Sequence, residues 1–150
     1  RAAERNLQIE CAMQPEEVRA LAARVYEPED TAAEVASGSF RTDGMIIAPC
    51  SMKTLSAVAH GYADNLLVRA ADVCIKEGRK VVLMPRETPL SIIHIKNMLA
   101  AAEAGCAIVP PMLTFYNCPE NIGDIADHVL GKALMQFDII PPGFRPWGGD

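Results

Sequence analysis

The chain has 150 residues, half of them hydrophobic, with 14 Lys and Arg against 19 Asp and Glu and a formal net charge of -5. That length suits one compact domain able to bury a core, and scattered bases under a negative balance argue against a nucleic-acid partner, whose phosphates call for clustered Lys and Arg. No apolar run approaches the ~20 residues of a membrane span.

The opening stretch, RAAERNLQIEC, spaces Ala3, Leu7 and Cys11 four apart and reads as a helix already under way. It lacks the apolar centre of a signal peptide, and a segment upstream of Arg1 is expected. Pro15 suits a helical first turn, and Val18, Leu21, Ala22 and Val25 form a second short amphipathic stripe. Residues 26–43 are polar and rich in turn formers, a loop with one marginal helical turn around 32–36. Its end, SGSFRTDG, reads as solvated loop, the alternative being contact with a ligand or a neighbouring subunit.

GMIIAP, 44–49, is continuously apolar, as in a parallel strand buried on both faces. A helix over 51–60 follows, interrupted at Gly61. A second, from about Asp64 to Glu77, turns Leu66, Leu67, Ala70, Val73 and Cys74 to the core and stops at Gly78. The strand KVVLMP comes next, and Thr88 and Pro89 read as cap and first-turn residue of a helix reaching about Ala104. CAIVP is a third strand, and PPMLTFYNCPE is too irregular for either regular element. The last helix, about 119–137, places Ile122, Ile125, Ala126, Val129, Leu130, Ala133, Leu134 and Phe137 at core spacing. The tail, 138–150, is irregular, yet Phe144, Arg145 and Trp147 make it more than a linker.

Strands alternating with helices predict an α/β fold with a parallel sheet and right-handed crossovers. Three strands are few for a doubly wound sheet, so upstream sequence is expected to add at least one more strand–helix unit. Ligands in such sheets bind beyond the carboxyl ends of the strands, and PCSMKT, PRETP and PPMLTFY carry polar or aromatic groups there. Ser51 and Thr54, with Lys53 between them, suit a helix cap or an anion site. Arg86 and Glu87 are either a local ion pair or a phosphate fork with an acid beside it. Arg69 and Lys76 lie two turns apart on one helix and either converge on a ligand or are solvated. Tyr116 and Lys132 attract no notice alone.

Five cysteines, Cys11, Cys50, Cys74, Cys106 and Cys118, form no CxxC pair. Their odd number and wide spacing suit a reducing cytoplasm and small core residues. His94, Cys106, Cys118 and His128 lack the close ligand pairs of a zinc site, so no metal is expected.

In order, SMKT, GYADNL, RAADV, PRETPLS and PPM form a combination that resembles the UbiX-like flavin prenyltransferases, including the B-type proteins of phenolic acid decarboxylases, over roughly residues 36–148. The resemblance implies a flavodoxin-like or Rossmann-like three-layer subunit: one flavoprotein domain over 1–150, lacking N-terminal strands here, with the irregular tail at 138–150. It implies transfer of a dimethylallyl group from dimethylallyl phosphate to nitrogen 5 and carbon 6 of reduced FMN. The product, prenylated FMN, serves UbiD-type decarboxylases, and the assembly is a homododecamer with both ligands near subunit interfaces. Carried over by motif, Ser51, Met52, Lys53, Thr54 and Arg86 hold FMN. Glu87, Lys76 and Tyr116 are catalytic and surround the prenyl phosphate with Arg69 and Lys132, while Trp147 of the tail closes over it. Many members carry Arg where this chain has Lys132, which keeps the charge and loses the bidentate fork. The family's Gly-rich flavin-binding turn has no counterpart after Arg1.

Losing phosphate from an allylic ester develops negative charge that cations and a phenol can meet, and the absence of DDxxD is consistent with a metal-independent monophosphate donor. Two other readings compete. One is an FMN carrier or accessory subunit without transfer. The other is a flavin-dependent cysteine decarboxylase, for which the expected catalytic His and substrate clamp are not found. His60 and His94 read as packing or capping residues.

Overall fold

The sheet is built around Lys80–Pro85 (β2), which is apolar at every position after its lysine and therefore needs cover on both faces. The computed structural model describes residues 2–144. In it β2 lies between Gly44–Cys50 (β1) and Ala107–Ile108 (β3), all three parallel. Two helices, Met52–His60 (α1) and Leu66–Lys76 (α2), link β1 to β2; Ile92–Glu103 (α3) links β2 to β3; and Ile122–Leu134 (α4) follows. Before the sheet come two short helices, Ala2–Glu10 and Pro15–Arg19, and a 3-10 turn at Glu34–Ala36.

Alternation along β2 divides the core. Val81 and Leu83 join Ile47, Leu55, Val58, Val68, Ala71 and Ala101 on one face, whereas Val82 and Met84 meet Ala133, Val129 and Phe137 on the other. This is the expected three-layer α/β arrangement. Gly44 opens β1 at φ +148°, against the Lys80 carbonyl, where a Cβ has no room.

Each of these four helices starts on a side-chain cap. Ser51, Asn65, Ser91 and Asn121 accept hydrogen bonds from the backbone N–H of Thr54, Val68, His94 and Asp124 at 3.0–3.2 Å, each worth about 1 kcal/mol. The start of α3 corrects the expectation at Thr88 and Pro89. Ser91 also receives reciprocal support, its N–H donating to His94 Nδ1 at 3.3 Å, so RETPL, 86–90, is exposed loop.

Three further expectations change. The second N-terminal stripe stops with its helix at Arg19 and leaves Leu21 84% exposed, because five residues make too short a helix to orient it. On α2 the buried residues are Leu66, Val68, Ala71, Val73 and Cys74. Leu67 and Ala70 instead line a cavity of about 460 Å³ beside Met45 of β1. The third strand is shorter than expected: after Val109 donates to the Leu83 carbonyl at 2.8 Å, Pro110 and Pro111 have no N–H to continue the ladder.

Candidate functional site

An apolar groove of about 380 Å³ opens at the carboxyl ends of the strands. Its floor comes from Ala48 and Pro49 of β1 and Met84 of β2, its far side from Leu113, and its wall from Ile122, Ile125, Val129 and Leu130 of α4. The apolar stripe of α4 is therefore only partly core, as Ile122 is 84% and Leu130 47% exposed. The sheet fills one side of that stripe and the groove takes the other, because β3 ends before it can cover the helix.

Arg86 stands among the residues lining this groove. Two other arginines are engaged: Arg69 Nη1 donates to Asp72 Oδ2 at 2.8 Å, and Arg79 donates to the Phe40 and Gly38 carbonyls. Arg86 is exposed and makes no hydrogen bond or ion pair with another described residue. Glu87 beside it accepts from the Thr88 N–H at 3.1 Å and forms no ion pair with Arg86. An unpaired guanidinium beside an apolar trough suits a ligand with a hydrocarbon body and an anionic end.

At the start of α1 the Ser51 hydroxyl is committed to the helix, accepting from Thr54 N and lying 3.0 Å from Thr54 Oγ1. Met52 packs against the larger core. Lys53, 79% exposed along its side chain, reaches Asp64 at 3.6 Å.

The remaining predicted residues separate into two groups. Lys76 ends α2 just before β2 begins and pairs with Glu77 at 3.5 Å. Arg86 and Glu87 come after β2 ends, and the strand between spans about 17 Å at ~3.3 Å per residue. One chain therefore does not bring Lys76 to Glu87.

Tyr116 and Lys132 are joined by residues that sequence reasoning passed over. The Tyr116 hydroxyl lies 2.8 Å from His128 Nε2, with the rings edge to face at 5.3 Å. His128 stacks on Phe144 at 5.2 Å, and Lys132 Nζ sits 5.6 Å from the Phe144 ring centre. His128 is 2% exposed, and its Nδ1 has no hydrogen-bond partner among the described residues. Burial, and secondarily the charge of Lys132, push its pKa below the ordinary imidazole value. The available signal was the four-residue step from His128 to Lys132, which puts both on one helix face. Trp147 lies outside the described residues.

Two buried thiols, Cys50 and Cys106, are not activated. Burial pushes Cys50 up to about 11, with a lesser contribution from Cys106, and raises Cys106 as well. Among the described residues no cluster of His, Cys, Asp or Glu has metal-binding geometry, and no helix is long and apolar enough to cross a membrane.

The Flavoprotein family model matches residues 3–134. A probable UbiX-like flavin prenyltransferase of Sedimentibacter hydroxybenzoicus is 55% identical over 141 residues, covering 94% of this chain and 75% of the relative. A dodecameric FMN-dependent UbiX-like decarboxylase from Escherichia coli O157:H7 superposes with a TM-score of 0.94 at 53% identity, over 98% of this chain and 80% of that one. AnUbiX (PadA1), solved with FMN and dimethylallyl pyrophosphate, gives 0.95 at 48% identity, over 99% and 79%. With its parallel sheet and its motifs at the strand ends, the chain belongs to the UbiX-like flavin prenyltransferase family.

Proposed function

We propose that the full protein joins the dimethylallyl group of dimethylallyl phosphate to reduced FMN, and that the prenylated FMN passes to UbiD-type decarboxylases. The observation that carries this reading is the unpaired Arg86 beside the apolar groove, in a chain of this family. A hydrocarbon body with an anionic end fits that combination, as does the aromatic ring system of a flavin.

Arg86 and the start of α1, Ser51 to Thr54, hold FMN, which when reduced supplies nucleophilic nitrogen 5 and carbon 6. Breaking the allylic C–O bond leaves positive charge on the prenyl carbons and its electron pair on phosphate. Arg69, Lys76, Lys132 and the Tyr116 phenol oppose that negative charge. Glu87 donates a proton to the departing phosphate. Closing the fourth ring replaces the nitrogen 5 and carbon 6 hydrogens by bonds to the dimethylallyl unit, one released proton adding to the remaining prenyl C=C so that carbon 6 can bond and the other returning to Glu87, and Trp147 closes over the site.

Because Lys76 and Glu87 lie at opposite ends of β2, a phosphate pocket using both takes Lys76 from another copy. The dodecamer of the E. coli relative supports such an assembly. Exposed Ile92, Ile93, Ile95 and Leu99 on α3 offer apolar surface for it to cover. Two core clusters sharing β2 support one domain. Five free cysteines support a cytoplasmic location.

The test is anaerobic incubation of the full-length protein with reduced FMN and dimethylallyl phosphate, with dimethylallyl pyrophosphate in a second arm, followed by mass spectrometry of the extracted flavin. A gain of one five-carbon unit is expected. Bound flavin of unchanged mass in both arms would sink prenyl transfer and leave an FMN carrier.

A further inference from the structure

Neither Tyr116 nor His128 is among the residues that line the apolar groove, and no motif of the chain accounts for the histidine. A nearly fully buried imidazole with one nitrogen unpartnered is costly, since an unmade hydrogen bond forfeits the solvation of that group. The two neutral tautomers differ in what they strand. A proton on Nδ1 leaves a buried N–H with no acceptor. A proton on Nε2 leaves only a lone pair on Nδ1 and turns an N–H toward the Tyr116 oxygen at 2.8 Å. Orphaned buried N–H groups are the rarer of the two defects. The arrangement therefore favours Nε2–H as donor and the phenol oxygen as acceptor.

Two ring contacts, and the room left for one of them, fix the imidazole in that pose. Phe144 stacks on it at 27° between planes, Tyr116 meets it edge-on, and Gly131, one turn along α4, has no Cβ to push Phe144 away. The Lys132 ammonium over the Phe144 ring opposes a positive charge on His128. A neutral donor results.

We propose that His128 is a positioning residue: by donating Nε2–H to the Tyr116 oxygen, it orients the phenol so that its own proton is presented to the phosphate of the prenyl donor. The proposal rests on the prenyl-transfer reading above. His128 touches neither ligand and takes up no proton during turnover; it selects which way the phenol donates. With that bond the Tyr116 hydroxyl, on a turn, is a polarised donor tied to a residue of α4, and its geometry is set before the phosphate arrives.

The experiment compares full-length wild type with H128F, H128Q, Y116F and the H128F/Y116F double variant, measuring FMN affinity, kcat, KM for dimethylallyl phosphate and thermal melting. H128F, which keeps the ring and loses the donor, is expected to lower kcat/KM about tenfold, the scale of one lost hydrogen bond, with FMN affinity unchanged. H128Q retains an N–H within reach and should recover most of that loss. In the Y116F background H128F should add little, since the bond through which the histidine is proposed to act is already gone. Should H128F lose its cooperative melt, H128N takes its place, because its amide stops one methylene short of Gln and should behave as H128F does. H128F, or H128N in its place, equal to wild type, or losses that multiply independently of Y116F, would overturn the positioning role while leaving prenyl transfer standing. Wild type that makes no prenylated flavin overturns the transfer reading and this proposal together.

Discussion

Gly131 lies directly beneath the ring of Phe144, so close that a single added methyl would overlap Cδ2 and Cγ. That contact holds the last described segment against α4 and so places Phe144 over His128 and beside Lys132. At an ordinary helical site Gly→Ala stabilises by up to about 1 kcal/mol. Here overpacking of about 1–3 kcal/mol outweighs it, so Gly131→Ala should lower the urea midpoint. An unchanged or higher midpoint would show that Phe144 yields without cost.

Protonation of His128 makes stability fall in mild acid. Its folded pKa lies below the ordinary imidazole value through burial first and Lys132 second, and the groups facing it are Tyr116, Lys132 and Phe144. As pH drops through about 6.5, the unfolded chain binds a proton that the folded chain resists, so unfolding becomes easier. The contribution is present above that pH and lost below it. Urea titrations at pH 8 and pH 5.5 should show a smaller loss for H128Q than for wild type; parallel losses would assign the acid sensitivity elsewhere.

Arg86 has no partner to lose among the described residues, so Arg86→Ala should leave the melting temperature unchanged. FMN affinity should fall about 10- to 100-fold, the range for losing a charged hydrogen bond. Arg86→Lys should recover only part, since an ammonium cannot make the bidentate fork. Flavin titration with a parallel melt separates the two effects, and full affinity in Arg86→Ala would remove this residue from the FMN site.

The placement of Lys76 and Glu87 at opposite ends of β2 makes a subunit-mixing prediction. Lys76→Ala and Glu87→Gln should each be inactive as pure assemblies. Co-expressed, they should regain part of the wild-type rate, because some pockets then combine an intact Lys76 from one copy with an intact Glu87 from another. No recovery in a hybrid confirmed by native mass spectrometry would place both residues in a single-chain site.

Local chemistry made much of this protein legible. The first two apolar strands, the turns at Gly61 and Gly78 and the cap at Ser51 follow from patterns within a few residues of one another, and the structure has them where expected, while the third strand is cut to Ala107–Ile108. The start of α3 differs from what the sequence suggests because Thr88-Pro89 imitates a cap, whereas Ser91 gains a reciprocal bond with His94. The motif string PRETPLS pointed to Arg86 and Glu87, but their separation from Lys76 depends on the direction of a whole strand.

The α/β alternation, the apolar central strand and the family motifs are written in short stretches of chain, because periodicity, capping and turn formation act over a few residues. Tertiary structure alone decided that the stripe on α4 is divided between core and groove, for that depends on where β3 stops. It also decided that Tyr116 meets His128 across twelve residues and that Phe144 closes on both His128 and Lys132. Those contacts join a loop, a helix face and a returning segment, and a periodic pattern records which residues share a face without recording what that face will meet.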